Sequence, residues 1–308
     1  MADEILSGSG GGENLVVAQV ISRMVQLQLA DRASLRNHPA IVNMNPGLIG
    51  ATVEKVSIVG LDGVDQMTSR TEIQSEANTA FTSSAATVTP APFRLAYEMS
   101  DLMQAIDPNG IANPLRFARS IAVSASMTLT NLIAQGIDGF TQVGSTGVAM
   151  THDTFLAAQF ALKQALVTPP FLFVAKPKAF TDWQDDLEAR GGNTQWRAAT
   201  TQMMALNGQG AEGSYNNIEV FTSDQVQSIN GATVDWASSM FGRGAVGYKE
   251  LRMAPPPRSQ FVILDIEGVI RIAELRAERT GETAVVGHYN VGTINIEAGR
   301  GRTIVSGQ

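Results

Sequence analysis

Apolar residues recur at helical spacing first at Val16, Val17, Val20, Ile21, Met24 and Val25, after a Gly/Ser-rich lead over residues 1–12. His38-Pro39 and Asn45-Pro46-Gly47 then break the chain. Residues 1–48 therefore read as an arm carrying one amphipathic helix, or as the first helix of the domain. Thr52 to Val59 reads as a strand with Val56 and Ile58 on one face. From Val59 to Pro92 large apolar residues are sparse, and Thr79 to Thr89 is β-prone but polar on both faces. Such a stretch cannot bury enough surface to fold alone, so it predicts a projecting hairpin lying on something else, or a disordered loop.

The strongest local pattern follows. Asn113 suits an N-cap and Pro114 the first helical position. Ala118, Ala122, Ala125, Leu129 and Leu132 repeat at alternating spacings of four and three, and Gly136 is a natural stop. The pattern predicts a helix over Pro114 to Gln135, about 33 Å long. Between Thr151 and Leu251 helical and strand patterns alternate. Helices are expected over Phe155–Leu166, Phe180–Ala189 and Gln195–Leu206, and strands over Phe171–Ala175 and Ile218–Thr222. This is an α/β or α+β domain of typical size, closed by Pro255-Pro256-Pro257. Phe261 to Val305 reads as mainly β, with charge on both faces through Arg271, Glu274, Arg276, Glu278 and Arg279. A short helix over Val269–Arg279 is the second choice there.

Composition narrows the function classes. Only 17% of the 308 residues are charged, which suggests surface later covered by other chains. The net charge of −7 argues against a face that grips nucleic acid, though not against a container for it. Of 22 basic residues only Lys55, Lys163, Lys176, Lys178 and Lys249 are lysine, and arginine is the cation favoured at interfaces. There is no cysteine, which suits a reducing compartment and excludes disulfides and thiolate metal sites. The N-terminus lacks the pattern of a signal peptide, and Ile121 to Phe140 is too polar to cross a membrane.

Tempting chemistry mostly fails on context. Gly208–Gly213 and Gly242–Gly247 match the spacing of a dinucleotide loop, but neither has a strand before it and a helix after it. Gly242–Gly247 also has phosphate-loop spacing, yet Tyr248 stands where lysine is required. His38, His152 and His288 are not paired at metal-ligand spacing, and His152-Asp153 reads as a helix start or surface feature. Asp185, Asp186 and Glu188 read as a solvated helix face. No catalytic, cofactor or metal site is expected, and the chain is not expected to be an enzyme.

An arm, a long polar hairpin, a long helix, an α/β domain and a returning β segment occur in one order. That order resembles the major capsid proteins of tailed bacteriophages, the Hong Kong 97-type fold. The similarity is sharper at Phe93–Asp101 (FRLAYEMSD), at Ser239–Tyr248 (SMFGRGAVGY), and from Glu278–Gly281 (ERTG) through His288–Gly292 (HYNVG). The resemblance implies an α+β capsid fold divided into an N-terminal arm (1–48), an extended β-hairpin loop (49–98), and the spine helix of a peripheral domain (99–138). An α/β axial domain (139–260) and a C-terminal β segment (261–308), returning to the axial domain, complete it. It implies a subunit that assembles through hexamers and pentamers into an icosahedral shell around phage double-stranded DNA, in the host cytoplasm. Implied partners are further copies of itself, a separate scaffolding protein and a portal protein, with a cement protein as a further candidate. No cofactor, membrane or sequence-specific DNA contact is implied. Candidate interface residues are Val16, Val20 and Met24 in the arm, Arg70, Glu72 and Glu76 at the loop tip, and Arg271, Arg276 and Arg279 in the β segment. An encapsulin-like protein compartment is the main alternative, and an α/β hydrolase the second.

Overall fold

A computed structural model describes residues 35, 38–44, 54–59, 83–100, 102, 114–191, 196–200, 211–229, 235–254, 261–266, 268–277 and 282–307. The predicted arm helix and the tip of the predicted hairpin lie outside them. The chain forms β1 (Ile41–Asn43), β2 (Glu54–Val59), β3 (Ser83–Val88), β4 (Ala91–Ser100) and then the long helix α1 (Pro114–Gly136). Next come β5 (Thr141–Gly144), α2 (His152–Gln164), β6 (Phe171–Ala175), α3 (Pro177–Ala189), β7 (Trp196–Ala198), β8 (Ala211–Tyr215) and β9 (Ile218–Thr222). The remainder is β10 (Asp235–Phe241), β11 (Val246–Glu250), β12 (Phe261–Ile266), β13 (Ile270–Ala277), β14 (Glu282–Asn295) and β15 (Gly301–Gly307).

Among the described residues these strands form three sheets. β2 and β3 pair antiparallel as a two-stranded hairpin. A seven-stranded sheet has the order β5-β15-β10-β6-β9-β8-β7. A six-stranded sheet runs β1-β11-β14-β13-β12, with β4 also paired to β14. β14 is long enough to serve two neighbours in turn. Glu282 to Val291 match Ser100 to Ala91 of β4, and Val291 to Asn295 match β11.

α1 joins the two halves of the core. Its first turns bury Ala118, Ile121 and Ala122 with Met99, Ile263, Leu264, Ile272 and Val285. Its later turns bury Ala125, Leu129, Ile133 and Ala134 in the larger cluster, with residues such as Phe173, Trp183 and Phe241. The small residues let the helix lie close to the sheet, and Gly287 sets how close. A Cβ there would stand 2.0 Å from Ile121 Cγ2, so no larger residue fits without movement.

Gly136 does not stop the helix in the left-handed conformation expected of it. Its φ/ψ of −91/−2° stays right-handed, and the chain continues into a 3-10 turn at Ile137–Gly139. The end carbonyls are instead satisfied by side chains. Asn295 Nδ2 donates to Gly136 O at 2.6 Å, and Ser239 Oγ and Thr303 Oγ1 donate to Ile137 O at 2.7 and 3.1 Å. Donors from β14, β10 and β15 thus pin the helix end against both large sheets.

Two further expectations change. The helix predicted from Gln195 is absent at Trp196–Ala198, which is a strand antiparallel to β8. Trp196 packs there against Phe180 and Trp183, with ring centroids 5.6 and 5.7 Å apart, and this contact outweighs local helical periodicity. The second-choice helix over Val269–Arg279 is also not adopted, because Ile270–Ala277 is a strand between β12 and β14.

Candidate assembly surface

The six-stranded sheet has one face under α1 and one facing away. On β4 the side chains of Leu95, Tyr97 and Met99 point to the helix. Tyr97 stacks on Phe117 at 4.9 Å and its hydroxyl lies 3.0 Å from Ser120 Oγ. Strand alternation therefore turns Arg94, Ala96 and Glu98 to the other face, and all three are exposed. Register carries this face across the sheet: Arg94 lies opposite His288, His288 opposite Arg271, and Arg271 opposite Asp265.

The row ends in a tight pair. Arg271 is buried, with Nε and Nη2 donating to Asp265 Oδ2 at 3.1 and 3.0 Å and Nη1 to Ala254 O at 2.7 Å. Of the candidate interface residues, Arg271 is thus committed within its own subunit. Arg276 lies on β13 opposite Thr283. Val16, Val20, Met24, Arg70, Glu72, Glu76 and Arg279 lie outside the described residues. The two described candidates, Arg271 and Arg276, lie five positions apart on β13. Burial, then the Arg94 and Arg271 guanidinium groups, hold the His288 imidazole below its ordinary pKa.

In the seven-stranded unit the chemistry turns inward. Thr151 caps α2 through a reciprocal pair with Thr154, and His152 N donates to Asp186 Oδ2 at 2.7 Å. Trp183 Nε1 donates to His152 Nδ1 at 3.3 Å, and Tyr215 Oη lies 3.3 Å from Nε2. An indole N–H can only donate, so Nδ1 carries no proton in this arrangement. Burial first, then Arg190, hold the imidazole below its ordinary pKa, while Asp186 and Asp153 oppose that shift. Arg190 forms a bidentate pair with Asp153 at 2.7 and 3.0 Å and also reaches Asp186 at 3.1 Å. Its guanidinium lowers the Asp153 pKa, and burial raises that of Tyr215. His152 is therefore part of a structural cluster, a role that sequence spacing did not reveal because its partners lie on α3 and β8.

No described group of His, Cys, Asp and Glu could hold a metal ion, and no described helix is long and apolar enough to cross a membrane. Gly242–Gly247 leads from β10 to β11, strand to strand, which removes the helix a phosphate loop requires. On the outer side of α2, Leu156 and Phe160 stand one turn apart and exposed, with exposed Leu166 just beyond the helix.

No protein-family model matches the sequence, and no curated protein matches it. Solved structures do. The capsid of Ralstonia phage GP4 is 10% identical, covers 90% of this chain and 91% of its own, and superposes with a TM-score of 0.59. The capsid of cyanophage P-SCSP1u is 12% identical, with coverage of 90% and 89% and a TM-score of 0.55. The SrpI encapsulin from Synechococcus elongatus is 11% identical, with coverage of 85% and 84% and a TM-score of 0.55. Identity this low carries information about architecture alone. The chain has the α+β Hong Kong 97-type fold shared by these phage and encapsulin shells.

Proposed function

We propose that the chain is the major capsid protein of a tailed bacteriophage, a structural subunit and not an enzyme. The observation that supports this is a fold shared with phage capsids along nine-tenths of the chain, as with the Ralstonia phage capsid at 90% coverage. The low charge content and the exposed Leu156, Phe160 and Leu166 agree with surface meant for other copies. In this reading residues 1–48 are the arm, 49–98 the extended loop, 99–138 the spine helix, 139–260 the axial domain and 261–308 the returning β segment. Hexamers and pentamers build the shell in the host cytoplasm, with a scaffolding protein, a portal protein and, as a further partner, a cement protein. The acidic wall encloses DNA without gripping it.

Electron microscopy and sedimentation of the expressed chain, alone and with a scaffolding partner, test the proposal. Closed particles far larger than the 32.7 kDa subunit are expected. A monomer under every condition, partner included, overturns it. The match to an encapsulin supports a second reading, a protein-filled compartment, and particle contents decide between the two: DNA for a phage head, cargo protein for an encapsulin.

A further inference from the structure

β4 is a ten-residue strand hydrogen-bonded to β14 on one side, and no described strand pairs with its other side. A long open edge presents unpaired backbone N–H and C=O groups and is a template for another strand. What could lie there is constrained by β4's own side chains. Arg94 and Glu98 are exposed on the same face with Ala96 midway between them. Four residues along a strand span about 13 Å, so the two charges stand well apart along one chain.

We infer that β4 pairs antiparallel with β4 of a second copy about a two-fold axis at Ala96. In that register residues whose numbers sum to 192 lie opposite each other, so Arg94 meets the second copy's Glu98, and Glu98 meets its Arg94. On the helix-side face Leu95 meets Tyr97 and Phe93 meets Met99, so apolar positions face apolar positions. The pairing is carried by residues 93–99, and Pro92 beyond them interrupts no central ladder bond. Neighbouring registers lose the match. Centring on Arg94 or Glu98 sets like charges against each other, and centring on Leu95 or Tyr97 leaves both charges without a partner. A two-fold contact of this kind is isologous, the commonest symmetry among homo-oligomers. A carboxylate beside Arg94 also offsets part of the positive field acting on His288.

The inference deepens the shell reading and rests on it, because it assigns one contact between subunits of that shell. The chain has no cysteine, so Ala96→Cys introduces a single thiol. Directly opposite Cα atoms of an antiparallel pair are about 4.5–5.5 Å apart, within reach of a disulfide. Mild oxidation of assembled full-length Ala96→Cys protein is expected to convert most chains to covalent dimers. Arg94→Cys and Glu98→Cys alone are expected to stay uncross-linked and to form heterodimers when mixed. In solution, Arg94→Glu or Glu98→Arg weakens association on the order of tenfold, and the double swap restores it. Multimers without Ala96→Cys cross-links overturn the edge pairing and leave the shell reading standing. Cross-linked dimers that never form larger particles support the pairing and overturn the shell reading. Monomers throughout, with no cross-link, overturn both.

Discussion

The seven-stranded sheet ends in short strands, four residues in β5 and three in β7, whereas the six-stranded sheet carries the ten-residue β4 at an edge. Their side chains follow the same division. Around Trp183 the rings of Phe155, Phe180, Trp196, Tyr215 and His152 lie 4.7–6.5 Å away, and Trp183 itself is fully buried. Arg94, Ala96 and Glu98 on β4 meet nothing comparable and stand exposed. One unit closes its aromatic core on itself, and short edges are a common way to discourage further pairing. The other carries a long strand whose outer side no described strand pairs with. Within one fold, then, the two sheets differ at their edges: the long edge belongs to the six-stranded sheet, while the seven-stranded unit exposes side chains instead, Leu156 and Phe160 on α2.

The largest expected effect tests the half with the closed aromatic core. Trp183→Ala removes the centre of the aromatic cluster and should destabilise the free subunit by about 3–5 kcal/mol, measured by denaturant unfolding. The loss should be as large before assembly as after. If it appears only in assembled material, the cluster depends on a neighbour and the contrast between the two sheets fails.

A smaller effect is expected where α1 lies on the other sheet. Gly287→Ala places a Cβ about where Ile121 Cγ2 already stands, and relieving that clash means shifting the helix or its rotamers. Overpacking of this kind costs about 1–3 kcal/mol. Gly287→Ala should cost less in an Ile121→Ala background than in the native one, a coupling that thermal melts of the two single variants and the double variant would show. Additive losses would mean that the helix does not rest on Gly287, and that this half is as loosely specified under α1 as it is at its edge.

How much of this was legible beforehand follows the range of the interactions. The long helix was readable because Ala118, Ala122, Ala125 and Leu129 repeat within one segment, and all four are buried. The strands at Phe171–Ala175 and Ile218–Thr222 were readable for the same local reason. Trp196 was misread because its role is fixed by rings on α3, not by its sequence neighbours. Arg271 stood out as a charge in a strand, but its partner Asp265 emerges only once the β12–β13 register is set. The edge of β4 was hidden in turn, since which strand ends a sheet is a property of topology. Glycine at 136 promised a left-handed stop, yet three distant donors made that turn unnecessary.

The smallest expected effect is a pH dependence, and it sharpens the contrast from inside the closed unit. Trp183 donates to His152 Nδ1, so protonating that nitrogen would set donor against donor. Asp186 and Asp153 favour the proton, but burial and Arg190 outweigh them, and the folded-state pKa falls below the ordinary imidazole value. The sign follows from linkage. Above about pH 6.5 the imidazole is neutral in both folded and unfolded chains, and its contribution to stability is fully present. As the pH drops below that value the unfolded chain takes up the proton first, so stability falls until the folded pKa is passed. His288, lowered by burial and by Arg94 and Arg271, acts in the same direction. Urea unfolding of the free subunit between pH 7.5 and about pH 5 should therefore show declining stability, and His152→Gln should flatten part of that slope. His288→Gln should flatten its share in the free subunit but less after assembly, because a carboxylate arriving beside Arg94 draws the His288 pKa back up. Equal effects of His288→Gln before and after assembly would mean that nothing anionic reaches Arg94, and that the open edge is not where copies meet.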